Sequence, residues 1–136
     1  MKLRPFAMLL AVAGLTLFTT VANAAELRLR CEQRTLPARS KVSVDGKGLF
    51  PLNAMYSARI ISGSSQSTHT PLTAVGDEVE FDFDSNPADV AAGAQSIPAN
   101  FITAGTVQAA IFDANGQMVA GPVTANCRAR NPIKAR

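Results

Sequence analysis

Cys31 and Cys127 are the only cysteines in the chain, and each lies in a stretch where apolar residues recur at every second position. Around the first, Leu27, Leu29 and Cys31 share one face, opposite Glu26, Arg28 and Arg30. Around the second, Val123, Ala125, Cys127 and Ala129 oppose Thr124, Asn126, Arg128 and Arg130. A period of two puts alternate side chains on opposite faces of a strand, so both cysteines are expected on buried faces. A bridge between them would tie nearly the first strand to nearly the last, across 96 residues. Chain-entropy models assign a closed loop of that size roughly 4–5 kcal/mol. A redox pair would usually be a C-x-x-C, and a zinc site would want more ligands than this chain has. A structural disulfide, Cys31–Cys127, is the expected pairing.

Such a bridge calls for an oxidising compartment, and the N-terminus reads as the route to one. Lys2 and Arg4 precede an apolar run from Phe6 to about Phe18, and Ala22 and Ala24 flank Asn23. A basic start, an apolar middle and an A-x-A site make up a secretory signal. The run of roughly 13 residues falls short of the ~20 that a spanning helix needs. No cysteine follows the small residues, which argues against a lipoprotein anchor. The expected organisation is a cleaved signal peptide over 1–24 and one domain over 25–136, periplasmic or secreted and not membrane-embedded after cleavage. Lys2 and Arg4 depart with the signal, so 11 of the 13 basic residues remain against 10 acidic ones. That balance gives no reason to expect nucleic acid as a partner.

Between the cysteines the same alternation recurs in short runs. Val42 and Val44 alternate towards Asp45-Gly46-Lys47-Gly48, which reads as a turn. Tyr56, Ala58 and Ile60 alternate with Ser57, Arg59 and Ile61, and Ser64–Thr70 reads as a polar loop. Val79, Phe81 and Phe83 point one way, while Glu78, Glu80, Asp82 and Asp84 are expected to point outward. From Asn86 to Gly93 the chain reads as one helical turn, with Asn86 as cap, Pro87 in the first turn and Gly93 as stop. Val107, Ala109 and Ile111 form a further strand, Asn115-Gly116 a hairpin, and Gly121-Pro122 an expected break before the last strand. About seven strands and one short helical turn point to an all-β fold, a small two-sheet β-sandwich of immunoglobulin-like architecture. The absence of tryptophan and the long cysteine spacing separate it from true immunoglobulin domains.

No reactive constellation stands out. His69, the only histidine, lies in the polar run Ser64–Thr70, without a G-x-S-x-G turn to mark a serine nucleophile, and reads as a solvated loop residue. Histidine and methionine do not cluster as a copper site would require. Asp82, Asp84, Asn86 and Asp89 are spaced like the start of a calcium loop, but Pro87 stands where glycine belongs and no glutamate closes it. No metal or cofactor is expected. The most informative surface feature is charge: Arg28, Arg30, Arg128 and Arg130 form a candidate interaction strip, with carboxylates on another strand. Cross-strand ion pairing within one sheet is the plainer account of such a pattern. The chain is expected to be an exported, non-catalytic binding or accessory domain for a protein or acidic ligand. A self-assembling homo-oligomeric subunit is the alternative, and a small carboxylate-dependent hydrolase is the third reading.

Overall fold

The computed structural model describes residues 25–130, so the signal expected over 1–24 lies outside the described residues. In chain order the elements are β1 (Glu26–Thr35), β2 (Ala38–Lys47), β3 (Met55–Ser62), β4 (Ser65–Thr68), β5 (Leu72–Thr73) and β6 (Val79–Asp84). They continue with α1 (Pro87–Ala91), β7 (Gln95–Ser96), β8 (Thr106–Asp113), β9 (Met118–Asn126) and β10 (Arg128–Arg130). One sheet runs β10-β1-β2-β6-β7 and the other β4-β3-β8-β9, with β5 against the start of β3. The two sheets pack face to face as the expected β-sandwich. Their main strands follow the A-B-E and C′-C-F-G arrangement of immunoglobulin-like architecture.

The alternation read from sequence is what closes the core. Val42, Val44, Phe81 and Phe83 project from the first sheet and meet Tyr56, Ala58, Ile60, Val107, Ala109 and Ile111 from the second, all fully buried. Each of the larger of these contributes about 1.5–3 kcal/mol on leaving water. Asn86 caps α1 by accepting the Ala88 N–H, and Pro87 opens it where an N–H has no helical partner, as expected.

Three local expectations are corrected. Asp45-Gly46-Lys47 is not a turn, because β2 runs through it; a Cβ at Gly46 would lie 2.6 Å from Ile111 Cδ1, so glycine there leaves room for that side chain. Ser65–Thr68 is not loop but an edge strand antiparallel to β3. Gly121-Pro122 does not end a strand: β9 passes through it, and its pairing with β8 shifts register nearby. At Gly121 φ is +90° and a Cβ would meet the Ala109 carbonyl at 2.8 Å, so glycine serves this irregularity. The real interruption is Cys127, where the chain leaves the second sheet and pairs, as β10, in parallel with β1 of the first.

Cys31 and Cys127 form the expected disulfide, with Cα atoms 4.6 Å apart. Replacing both with serine is expected to lower the free energy of unfolding by about 2–4 kcal/mol. Amide exchange at Arg128–Arg130 should also accelerate as β10 loses its tether. Urea denaturation and hydrogen exchange check this; an unchanged midpoint would contradict the structural role given to the bridge.

Candidate interaction face

The outer face of the first sheet is a charged grid fixed by strand register. Glu32 pairs with Arg128 on one side and Lys41 on the other, and Lys41 with Asp84. The next rows set Arg30 beside Ser43 and Asp82, and Arg28 beside Asp45 and Glu80. Much of this charge is paired within the face. Arg30 Nη2 lies 3.1 Å from Asp45 Oδ2, while Glu32 Oε1 receives Arg34 Nε at 2.9 Å and Arg130 Nε at 3.2 Å. Burial works to raise the Glu32 pKa, but the Arg34 hydrogen bond and the charges of Arg130, Arg34 and Lys41 outweigh it and hold it below the usual range.

All four arginines of the expected strip are exposed, but they are not equivalent. Arg30 and Arg130 are occupied by Asp45 and Glu32, whereas Arg28 and Arg128 have no ion-pair partner among the described residues. Across the face the imbalance reverses. Asp82 accepts a 2.9 Å hydrogen bond from Ser43 Oγ. Glu80 has its pKa raised, first by the charge of Asp82, then by Asp45 and burial, with Arg30 opposing. Asp45 Oδ1 is buried without a hydrogen-bond partner among the described residues. An open hollow of about 790 Å³ separates the flanks, with Arg30, Lys41 and Arg128 on one side and Glu80, Asp82 and Asp89 on the other.

Two expectations fail here. Asp84 does not point into solvent: α1 folds back beside it and its side chain is buried. Arg39, which sequence reasoning overlooked, donates from Nε to Asp84 Oδ1 at 2.9 Å and from Nη2 to Asp84 Oδ2 at 2.7 Å and Asp89 Oδ2 at 2.8 Å. Asp84 Oδ1 also accepts the Asn86 N–H, and Asn86 Oδ1 is spent on the Ala88 N–H. The cation shared by Asp84 and Asp89 is therefore a guanidinium, which accounts for the spacing that resembled a calcium loop. His69, expected in solvent, is buried edge-on to Phe81 and Phe83, with ring centroids 5.3 and 5.5 Å away. Its Nδ1 lies 2.7 Å from the Thr70 carbonyl, so that nitrogen carries the proton and donates. The ring is a core aromatic with one satisfied polar edge.

Burial acts to raise the Asp84 pKa, but the Arg39 and Asn86 hydrogen bonds and the Arg39 charge together hold it below the usual carboxylate range. A depressed folded pKa contributes stability that is present above the unfolded value of ~4 and lost as pH falls through the folded one. Asp84→Asn should thus flatten the acid limb of the stability profile below about pH 4. Near neutrality it is expected to cost about 3 kcal/mol by leaving a guanidinium under-compensated. Urea midpoints measured across pH test both parts; parallel acid limbs in the two proteins would contradict the assignment. Compared with known family models, curated proteins and solved structures, the chain matches none.

Proposed function

We propose that the chain is an exported, non-catalytic binding or accessory domain that uses the outer face of its first sheet as the contact surface. One observation carries the reading: opposite charges are segregated across the hollow and left in excess. Arg128, which has no ion-pair partner among the described residues, lines one flank with Lys41, while Glu80 and Asp82 crowd the other. Arg28, likewise without such a partner among the described residues, extends the basic strip beyond the hollow. A partner that places acidic groups against the arginines relieves that excess, and such complementarity mainly sets approach and register.

Supporting observations concern compartment and chemistry. The Cys31–Cys127 bridge is compatible with an oxidising, exported location. Among the described residues no helix is long and apolar enough to cross a membrane. A hydrolase acid would need a raised pKa, whereas Asp84 is held ionised by Arg39. Glu80, whose pKa is raised, stands on an open face from which nothing excludes water.

A face carrying both signs is also complementary to a second copy of itself across a two-fold axis, which favours self-association as the second reading. Native mass spectrometry of the exported protein at low and high salt separates the two. A monomer at both salts supports the binding module; a dimer that dissociates in salt transfers the proposal to self-assembly. As a probe for an acidic partner, a polyglutamate peptide at low salt is expected to bind the native protein. The double variant Arg28→Glu/Arg128→Glu should bind it at least tenfold more weakly, about 1.4 kcal/mol. Equal binding by the two proteins would remove the strip as the contact.

A further inference from the structure

Along a strand the backbone N–H and C=O groups turn alternately to one side and the other, and those at an uncovered margin are left for an incoming chain. At the end of β6 the Ser85 N–H donates to the Ser40 carbonyl at 3.1 Å, on the β2 side. The Asp84 carbonyl accepts the Ile97 N–H at 3.1 Å, on the β7 side. Alternation therefore turns the backbone groups of Phe81 and Phe83 to β2 and those of Glu80 and Asp82 to the margin. β7 covers this margin only at Phe83 and Asp84. In a parallel ladder Gln95 bonds to the residues on either side of Phe83, which uses the Asp82 carbonyl and the Asp84 N–H. Before the start of β6, Val75 and Glu78 exchange two bonds, at 2.9 and 3.2 Å. Between these two covers the Glu80 N–H, the Glu80 carbonyl and the Asp82 N–H have no hydrogen-bond partner among the described residues. The gap runs over 79–82, about 13 Å of strand.

The gap opens into the hollow of the charged face, and His69 and Leu72 line that hollow together with Glu80 and Asp82. These two residues belong to a segment that follows the second sheet. There the His69 N–H donates to the Ala58 carbonyl and the Ala74 N–H to the Ala54 carbonyl, both at 2.8 Å. The margins of the two sheets are thus the walls of a groove. A strand lying in it presents alternate side chains to two surroundings, outward beside Glu80 and Asp82 and inward over Leu72 and the His69 ring. Neither Glu80 nor Asp82 has an ion-pair partner among the described residues. The two carboxylates crowd one another, and the charge of Asp82 is the first cause of the raised Glu80 pKa. A cation between them relieves that crowding.

We propose that the β6 margin takes up a short extended segment of a partner protein, through main-chain bonds to Glu80 and Asp82, with lysine or arginine at its outward positions. The unpaired groups select the form of the occupant. Two donors and one acceptor at strand spacing match a peptide backbone, whose main-chain bonds give affinity and whose alternate side chains give specificity. A free cation or a lipid headgroup answers the carboxylates but not this row. Charge then selects the outward side chains. A second copy fits poorly. Its own basic margin, the first half of β1, is fixed in a ten-residue strand against β2, while Val75 and β7 close the gap at both ends. A flexible segment enters by a few central residues and leaves outward, which a strand held in a sheet cannot do. This contact lies on the carboxylate flank and does not rest on the arginine strip.

The test uses protein expressed from the full-length gene and an end-blocked heptapeptide of alternating lysine and valine, followed by titration calorimetry and backbone amide exchange. In the free protein the Glu80 and Asp82 amides should exchange fast, and those of Phe81 and Phe83, turned to β2, slowly. Saturating peptide should slow Glu80 and Asp82 by about tenfold or more. The same peptide with its central amides N-methylated keeps its charge but loses its donors, and should bind about tenfold more weakly. Glu80→Gln/Asp82→Asn should weaken the unmodified peptide by about the same factor with an unchanged thermal midpoint. Arg28→Glu/Arg128→Glu should leave the protection of Glu80 and Asp82 in place, so the two contacts fail independently. Absence of binding, equal binding of the two peptides, or protection that falls on strands other than β6 overturns the proposal. So do Glu80 and Asp82 amides that are already slow in the free protein. Slowness that grows with concentration would make a second copy the occupant, and slowness lost on removing residues 131–136 would make it the chain's own tail.

Discussion

The sandwich depends on one crossing. Up to Asn126 the last long strand belongs to the second sheet, and the Cys127 N–H still donates to the Gly105 carbonyl on that side at 2.7 Å. One residue later Arg128 pairs with Glu32 in the first sheet. Cys127 is therefore the point at which the chain changes sheets, and its bond to Cys31 fixes that point on β1. Elsewhere the sheets meet mainly through apolar contact, which is strong but does not define register. The covalent tie fixes where β1 stands, and β1 in turn positions the arginines on the outer face and the point where the chain enters the fold.

Buried polar groups serve loops in place of chemistry. Ser40 Oγ donates to the Ala99 carbonyl at 2.8 Å and accepts the Ile102 N–H at 3.2 Å. Ser62 Oγ accepts the Thr103 N–H at 2.8 Å and reaches the Thr106 carbonyl at 2.7 Å. These two hydroxyls hold the segment that carries Phe101 and Ile102 into the core. Arg39 does the same for α1 through Asp84 and Asp89. An unpaired buried polar group costs about 1–3 kcal/mol, so each is matched to the backbone or charge of a connection. The potentially reactive side chains Asp84, Asp89 and His69 are thereby committed before any ligand arrives.

Legibility followed burial of one face. β1, β3 and β6 were readable because one side of each is core and the other solvent, so period two survives in the letters. Asp84 broke the rule because a helix too short to stand alone returned across the outer face and covered it. The signal was the placement of that helix immediately after the strand. His69 was misread because its neighbours are polar, although β4 is an edge strand that needs few apolar residues and His69 follows it into the core. Gly46 and Gly121-Pro122 looked like turns because glycine and proline usually mark them. Here one glycine answers a close approach from Ile111 and the other an irregular register, neither of which is written locally. The exposed Phe50, Leu52 and Val75 do not read as neighbours because Phe50 and Leu52 lie in one connection and Val75 in another, brought to the same end only when β2, β3 and β6 align.

The sheet margins decide how such a domain can meet others. An open edge strand offers unpaired backbone groups to any passing strand. Here β7 has two residues, β10 three and β4 four, and the long margin β9 contains Pro122, which has no N–H to give. β10 covers only Glu32–Arg34 of β1, so the first half of β1 is a second long margin. On that β1 margin the outward residues Glu26, Arg28 and Arg30 are charged, which discourages addition of a further strand. The charged face lies along the length of β1, β2 and β6, beside these margins and not at the ends of the strands.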